Sequence, residues 1–133
     1  MALVASVGCG PDNLLREPGP AVAYELDPTW RPQAIDPPLG QVSGVALDAR
    51  GNLYVFHRAG AAFDNEAVIA RPTVAVFDAD TGALRGTWGA GRFVTPHGIS
   101  IDANDHVWLT DTTLDQVVET TLTGEVLHVY DGR

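Results

Sequence analysis

The sequence predicts an all-β protein built from about two four-stranded blades of a β-propeller. The first observation is a repeat: residues 43–55 align without a gap on residues 97–109. The second is that each copy is followed by further short apolar stretches separated by turns that contain glycine. Antiparallel four-stranded units that recur roughly every 40 to 45 residues are typical of propeller blades, and a closed ring needs about four to eight of them. The chain therefore predicts an incomplete ring.

Each blade is expected to contain four strands joined mainly by tight turns. The predicted strands are residues 42–48, 53–58, 73–78 and 83–88 in the first blade, and 98–102, 107–110, 116–121 and 126–130 in the second. Gly82 stands in the last turn of the first blade, at a position that suits a left-handed residue. Counting outward from the first hairpin turn of each blade gives the register. The expected pairs are Asp48 with Leu53, Gly44 with His57, Ser43 with Arg58, and His97 with Thr112.

Composition and spacing set the expected domain boundaries. Residues 1–20 form an N-terminal segment, residues 21–40 a proline-rich partial blade, and residues 41–90 and 91–133 the two blades. Within the partial blade, the alternation over 21–26 predicts the outer strand of an incomplete preceding unit. The first blade carries about 12 extra residues between its second and third strands, from Ala59 to about Pro72. Because two blades leave both lateral faces uncovered, we expect the chain to be a fragment of a larger ring.

Charge and hydropathy exclude several classes of partner. The chain of 133 residues has 8 Lys and Arg against 17 Asp and Glu, which gives a formal net charge of -9. This balance opposes binding to nucleic acid or to anionic membranes. No apolar stretch approaches the 18 or so residues of a membrane-spanning helix, so no span is predicted.

Cys9 is the only cysteine and follows the short apolar run Ala2–Gly8. One interpretation is the trimmed end of a bacterial lipoprotein signal; the alternative is a frayed N-terminus or linker with a solitary thiol. Against the signal, the run is short, has no preceding Lys or Arg, and holds Ser6 where leucine is usual.

The two rim residues Arg58 and His97 are the candidate functional side chains. Both fall at the open ends of the first hairpin of their blades, which lie on one rim, and the insertion after Arg58 hangs over the same rim as a candidate lid. On the inner strands, the carbonyl oxygens of Val45 and Ile99 are candidates for holding Ca²⁺ in a central channel, although such carbonyls more often bind water.

Three further histidines receive plain structural interpretations. We expect His57 to be a packed core residue, His106 a turn residue and His128 a surface residue.

Several strings together resemble the first part of peptidyl-α-hydroxyglycine α-amidating lyase, a six-bladed propeller of the NHL-repeat type. They are Gly40–Asp48, Gly51–Arg58, Pro96–Asp102 and Trp108–Asp111, and the resemblance covers about residues 21–133. The Gln-Val-Ser-Gly-Val-Ala-Leu-Asp and Phe-His-Arg strings separate this family from other NHL propellers.

The resemblance implies an activity, metals and residue roles. The family cleaves a peptide that ends in α-hydroxyglycine into a peptide amide and glyoxylate, at a zinc held by three histidines. His97 matches the first zinc histidine, and Arg58 matches the arginine that contacts the substrate and supports catalysis. The main chains of Val45 and Ile99 match the positions that bind a structural calcium. The other two zinc histidines and the active-site tyrosine belong to later blades, so we expect no independent lyase turnover from this chain.

Two other classes remain open. An NHL propeller that serves as a binding scaffold without catalysis explains the repeats and requires neither Arg58 nor His97. A sugar-lactonase-like propeller needs Glu, Asp and Asn ligands at the strand entries of the rim, which are not offered there. The family resemblance and Cys9 together imply an extracytoplasmic location, secreted or lipid-anchored.

Overall fold

The structure, a computed structural model, describes residues 24–132 and consists there of two four-stranded antiparallel sheets without helices. The first sheet contains β1 (Val42–Leu47), β2 (Asn52–His57), β3 (Val74–Asp78) and β4 (Leu84–Trp88). The second contains β5 (Pro96–Ile101), β6 (Val107–Asp111), β7 (Gln116–Thr120) and β8 (Val126–Asp131). In each sheet the strands pair in chain order, as in a meander.

All eight predicted strands are present, with ends that differ by at most two residues, so the all-β prediction with two four-stranded units is confirmed. Gly82 has the expected left-handed backbone, with φ of 71°. The insertion is also found, because the connection from β2 to β3 runs over residues 58–73 while that from β6 to β7 is only residues 112–115.

The predicted register was wrong by one residue in both first hairpins. Asp48 leaves the ladder because its carboxylate accepts hydrogen bonds from the turn amides of Arg50 and Asn52, at 2.9 and 2.8 Å. A bulge then follows at the open end of each hairpin, where one strand contains an extra residue. The observed pairs are Leu47 with Leu53, Gly44 with Phe56, Val42 with His57, Pro96 with Asp111, and Gly98 with Thr110.

The extra residues at the two bulges are Ser43 and His97. Their equivalence therefore stands, although neither has the predicted partner. A bulge re-aims the side chain that it carries and bends the strand, and His97 is exposed there.

The main core lies between the two sheets. Tyr54, Phe56, Val74 and Val76 of the first sheet face Val107, Leu109 and Val118 of the second. Phe93, from the connection between the sheets, meets Phe56 edge to face with ring centres 4.9 Å apart. Full burial of each such side chain contributes about 1.5–3 kcal/mol.

The proline-rich segment covers the other face of the first sheet. Ile35 and Leu39 pack against the cluster of Val55, Ala75 and Phe77, and the Trp30 indole nitrogen donates to the carbonyl oxygen of Ala79 at 2.8 Å. The strand expected at 21–26 is not formed over its described part, residues 24–26. This segment acts as irregular cover instead of a strand.

The interpretation of residues 1–20, including Cys9, lies outside the described residues. Among residues 24–132, no helix is long and apolar enough to cross a membrane.

Phe56→Ala tests the inter-sheet core. Because Phe56 is fully buried, we expect a loss of about 3–5 kcal/mol in the free energy of unfolding. The measurement is a urea titration monitored by tryptophan fluorescence. The matched control is Phe63→Ala, since Phe63 is 60% exposed and its loss costs under about 1 kcal/mol. Equal losses for the two variants would contradict the assigned core.

Candidate functional site

The candidate site lies on the rim where β1 begins and β2 ends in the first sheet, and where β5 begins and β6 ends in the second. Arg58 directly follows β2, and His97 is the second residue of β5. The inner strands of the two sheets adjoin, since a Cβ built on Gly44 would lie 3.1 Å from the Cγ2 atom of Ile99. The rim therefore runs continuously from one sheet to the next.

Arg58 is held by neutral groups. Its backbone N–H donates to the carbonyl oxygen of Gln41 and its Nη1 donates to the Gln41 side-chain oxygen, both at 2.9 Å. The guanidinium carbon lies 4.8 Å from the centre of the Phe63 ring, a cation–π contact with the insertion. The buried Nε has no partner, and no ion pair involving Arg58 is found among residues 24–132. A cation in this state can accept an anionic ligand.

His97 opens onto a groove of about 490 Å³ on the rim side of the second sheet. Thr112, Asp115, Tyr130 and Asp131 are among the residues that line it. The imidazole is thus accessible to a ligand that lies across the ends of the strands.

Asp111 anchors the chain that leads into His97, a role that sequence reasoning missed. This carboxylate is 2% exposed. One oxygen accepts the N–H groups of Val94 and Thr95, at 2.7 and 2.9 Å, and the other accepts those of Thr113 and Leu114, at 3.0 and 2.9 Å. Two of these donors precede β5 and two lie in the turn after β6, so the carboxylate ties the entry of β5 to that turn. The available sequence signal was an aspartate directly at the end of the predicted strand.

The insertion spans the rim from the first sheet to the segment before β5. The Asn65 amide donates to the carbonyl oxygen of Val94 at 3.1 Å. The Ile69 N–H donates to the carbonyl oxygen of Phe93 at 2.8 Å, and the Ile69 carbonyl oxygen accepts from the N–H of Gly91 at 2.9 Å. The expected lid is thus tied to the chain that carries His97.

Val45 and Ile99 occupy equivalent places on the inner strands, paired with Val55 and Leu109. The Val45 side chain is 57% exposed. The adjoining inner strands bring these two stretches of main chain to the same side of the sheets.

The remaining histidines have other surroundings, although His57 directly precedes Arg58 in the chain. His57 is buried, as expected. His106 and His128 lie in a turn and on an outer strand, also as expected, but both bind Glu119 through Nδ1, at 2.7 and 3.0 Å. Burial alone would raise the pKa of Glu119, but hydrogen bonds from His106, His128 and Tyr130 outweigh it and lower the pKa.

The described residues do not form a complete zinc centre. Among residues 24–132, no group of three or more His, Cys, Asp and Glu side chains is arranged to hold a metal ion. His97 offers one imidazole, whereas a catalytic zinc usually has three protein ligands. A zinc at this rim would need ligands from outside the described part of the chain.

The fold and rim define a repeat protein of β-sheet units with an unpaired cation and an accessible imidazole at one end. No family model matches the chain. Over 90 residues it is 39% identical to peptidyl-alpha-hydroxyglycine alpha-amidating lyase 2 of Drosophila melanogaster, covering 58% of this chain and 22% of that protein. Over 91 residues it is 40% identical to peptidylglycine alpha-amidating monooxygenase of Rattus norvegicus, covering 59% of this chain and 9% of that protein.

A third relative extends the match to 109 residues. It is peptidyl-glycine alpha-amidating monooxygenase B of Xenopus laevis, 33% identical over 72% of this chain and 12% of its own length. The chain is a homologue of the amidating lyases and amidating monooxygenases. It spans no more than 26% of the length of the curated relatives it matches.

Asp111→Asn tests the anchor of the His97 segment. Each hydrogen bond to a charged group contributes about 1.5–3 kcal/mol, so we expect a loss of about 2–4 kcal/mol in the free energy of unfolding. Asp80→Asn, at an exposed turn position, should change it by less than about 0.5 kcal/mol. Urea titration of both variants measures the difference, and a neutral Asp111→Asn would refute the anchoring role.

His57 makes stability depend on pH. Burial lowers the pKa of His57 below its ordinary 6.5, and the positive charge of Arg71 lowers it further. Above pH 6.5 the His57 imidazole is mostly neutral in both the folded and the unfolded chain. Below pH 6.5 it takes up a proton in the unfolded chain more readily than in the folded chain. We therefore expect the free energy of unfolding to fall from pH 7.5 to 5.5. His57→Asn should flatten this slope in urea titrations; an unchanged slope would assign it to other groups.

Proposed function

We propose that the chain forms part of an amidating-lyase-like propeller and supplies the section of its active rim that holds Arg58 and His97. The parent protein would cleave a peptidyl-α-hydroxyglycine to a peptide amide and glyoxylate. The homology supports this proposal, since three relatives are named as lyases acting on peptidyl-alpha-hydroxyglycine. The observation that carries it is the uncompensated guanidinium of Arg58 on the rim that also displays His97.

The ring is proposed to have six blades of the NHL type, of which this chain contributes about two. The first sheet packs one of its faces against the second sheet. The corresponding face of the second sheet is turned toward solvent. Trp108 and Tyr130 stand there at the positions of Tyr54 and Trp88, and their rings stack at 5.8 Å. A further sheet would bury this aromatic pair.

Arg58 is proposed to bind the carboxylate of the α-hydroxyglycine. A guanidinium presents two parallel N–H donors to a carboxylate, which fixes orientation as well as charge. The reaction breaks the bond between the α-carbon and the amide nitrogen; the hydroxyl loses its proton, the nitrogen gains one, and the carbon leaves as the aldehyde of glyoxylate. Holding the carboxylate would orient the bond that breaks.

His97 is proposed as one zinc ligand, and the main chains of Val45 and Ile99 as ligands of a calcium at the ring axis. The exposed position of His97 on its bulge supports the first role, and the adjoining inner strands support the second. Because the described residues contribute a single histidine to the zinc, we assign them no step that depends on the metal.

The second candidate function is an NHL-repeat scaffold that binds a ligand without catalysis. The groove of about 490 Å³ beside His97 favours it, because it offers room for a ligand. A scaffold of this kind does not require a cation at Arg58.

Arg58→Ala separates the two functions. We expect the chain to bind α-hydroxyhippurate, a blocked α-hydroxyglycine, and the variant to bind it at least about tenfold more weakly because a charge-assisted contact is lost. The measurement is an NMR titration, with Arg92→Ala as the control at an exposed arginine elsewhere in the chain. No turnover to glyoxylate is expected from this chain alone. Equal affinity in wild type and Arg58→Ala would favour the scaffold.

A further inference from the structure

The same arrangement of hydrogen bonds occurs at the end of the second strand in both sheets, and we call it the node. In each node one side chain accepts N–H groups both from the segment before the first strand and from the turn after the second strand. In the second sheet, Asp111 accepts the N–H of Val94 at 2.7 Å and that of Thr113 at 3.0 Å. In the first sheet, His57 Nδ1 accepts the N–H of Gly40 at 3.3 Å and that of Ala59 at 3.1 Å. The register of the repeat makes His57 the equivalent of Asp111, Gly40 of Val94, and Ala59 of Thr113.

The two acceptors have the same reach but different charge. Nδ1 of histidine and both carboxylate oxygens of aspartate are bonded to Cγ, so they extend equally far from the main chain. The two N–H groups reach different oxygens of Asp111, whereas His57 Nδ1 accepts both. Because His57 Nδ1 accepts two N–H groups, the proton of the neutral ring is on Nε2. The acceptor of the node is therefore a neutral imidazole in the first sheet and a carboxylate in the second.

The node encloses Arg58. Gly40 precedes Gln41, whose main chain and side chain both bind Arg58, and Ala59 follows Arg58 directly. Ala59 has φ of 48° and Gly60 φ of 87°, so the chain turns sharply as it leaves Arg58. A Cβ on Gly40 would collide with the backbone nitrogen of Gly60, which shows how closely these two segments approach.

The residue that follows the acceptor also differs in charge between the two sheets. Thr112 stands in the second sheet where Arg58 stands in the first. His57 and Arg58 are adjacent in the chain, and charges closer than about 8–10 Å are incompletely screened. A carboxylate at 57 would offset the charge of Arg58, whereas imidazole does not.

We propose that His57 is a positioning residue that fixes the chain on both sides of Arg58 while leaving the Arg58 charge uncompensated for an anionic ligand. Gln41, whose side-chain oxygen accepts a hydrogen bond from Arg58, is neutral as well. This inference rests on the proposed function for the identity of that ligand, the carboxylate of an acylated glycine. The geometry of the node stands independently of it.

The charge part of the proposal is tested with His57→Asp and His57→Asn. Both variants keep an acceptor oxygen on Cγ and lose the same ring atoms. They differ in charge and in the amide NH2 that replaces the second carboxylate oxygen. Hippurate is the probe and hippuramide its neutral control, each titrated by NMR. We expect His57→Asn to stay within about threefold of the wild-type affinity for hippurate and His57→Asp to lose about tenfold or more, with no change for hippuramide. Equal hippurate affinity in the two variants would overturn the charge role.

The positioning part is tested without ligand, by comparing His57→Asn with His57→Gln. Glutamine has the same amide one methylene further out, so its oxygen misses the site of Nδ1. We expect the amide protons of Gly40 and Ala59 to exchange at least about tenfold faster in His57→Gln than in His57→Asn. Similar exchange rates would refute the node.

Gln41→Glu supplies a second test of charge should His57→Asp fail to fold. It places a carboxylate at the oxygen that already accepts from Arg58, and the same loss of hippurate affinity is expected while the exchange of Gly40 and Ala59 is unchanged. Should wild type and Arg58→Ala bind hippurate equally, the proposed role of Arg58 is wrong, and the exchange comparison alone then decides whether His57 positions this segment.

Discussion

Each sheet in this molecule has two faces to cover, and the structure depends on how that requirement is met. The first sheet meets it with the second sheet on one side and the proline-rich segment on the other. The second sheet has an inner face in the shared core, while its outer face carries Trp108 and Tyr130. Stacked repeats bury a continuous core only by adding neighbours, so this outer face is where the proposed ring would add its next sheet.

The outer face is not a copy of the face it corresponds to. Glu119 and His128 stand where the first sheet has Val76 and Gly86. Glu119 is 7% exposed and its carboxylate is satisfied by two histidines and a tyrosine. Buried polar networks are tolerated when every member has a partner. The next sheet would therefore meet a satisfied polar patch beside an aromatic pair, unlike the apolar contact between the two sheets described.

Strand positions were predictable because their signals are local, whereas register and anchoring were not. Alternation of side chains and glycine turns marked all eight strands within two residues. The register failed because the Asp48 side chain binds its own turn and removes the residue from the ladder. The acceptors His57 and Asp111 each bind an amide 17 positions earlier in the chain, at Gly40 and Val94. Sequence patterns do not show which residues distant in the chain lie close together, so these hydrogen bonds could not be predicted. The ungapped repeat did place His57 and Asp111 in equivalent positions.

Departures from the repeat identify the residues whose chemistry differs from what the fold requires. The fold requires an acceptor at the end of the second strand, and either imidazole or carboxylate meets that need. The fold requires no specific residue at the next position, which is Arg58 in the first sheet and Thr112 in the second. A carboxylate beside a threonine costs nothing in charge, whereas a carboxylate beside an arginine would reduce the attraction of that arginine for an anion. The proposed binding of an anionic group would account for the pair His57 and Arg58, since stability alone would be served by an aspartate at position 57 as at Asp111.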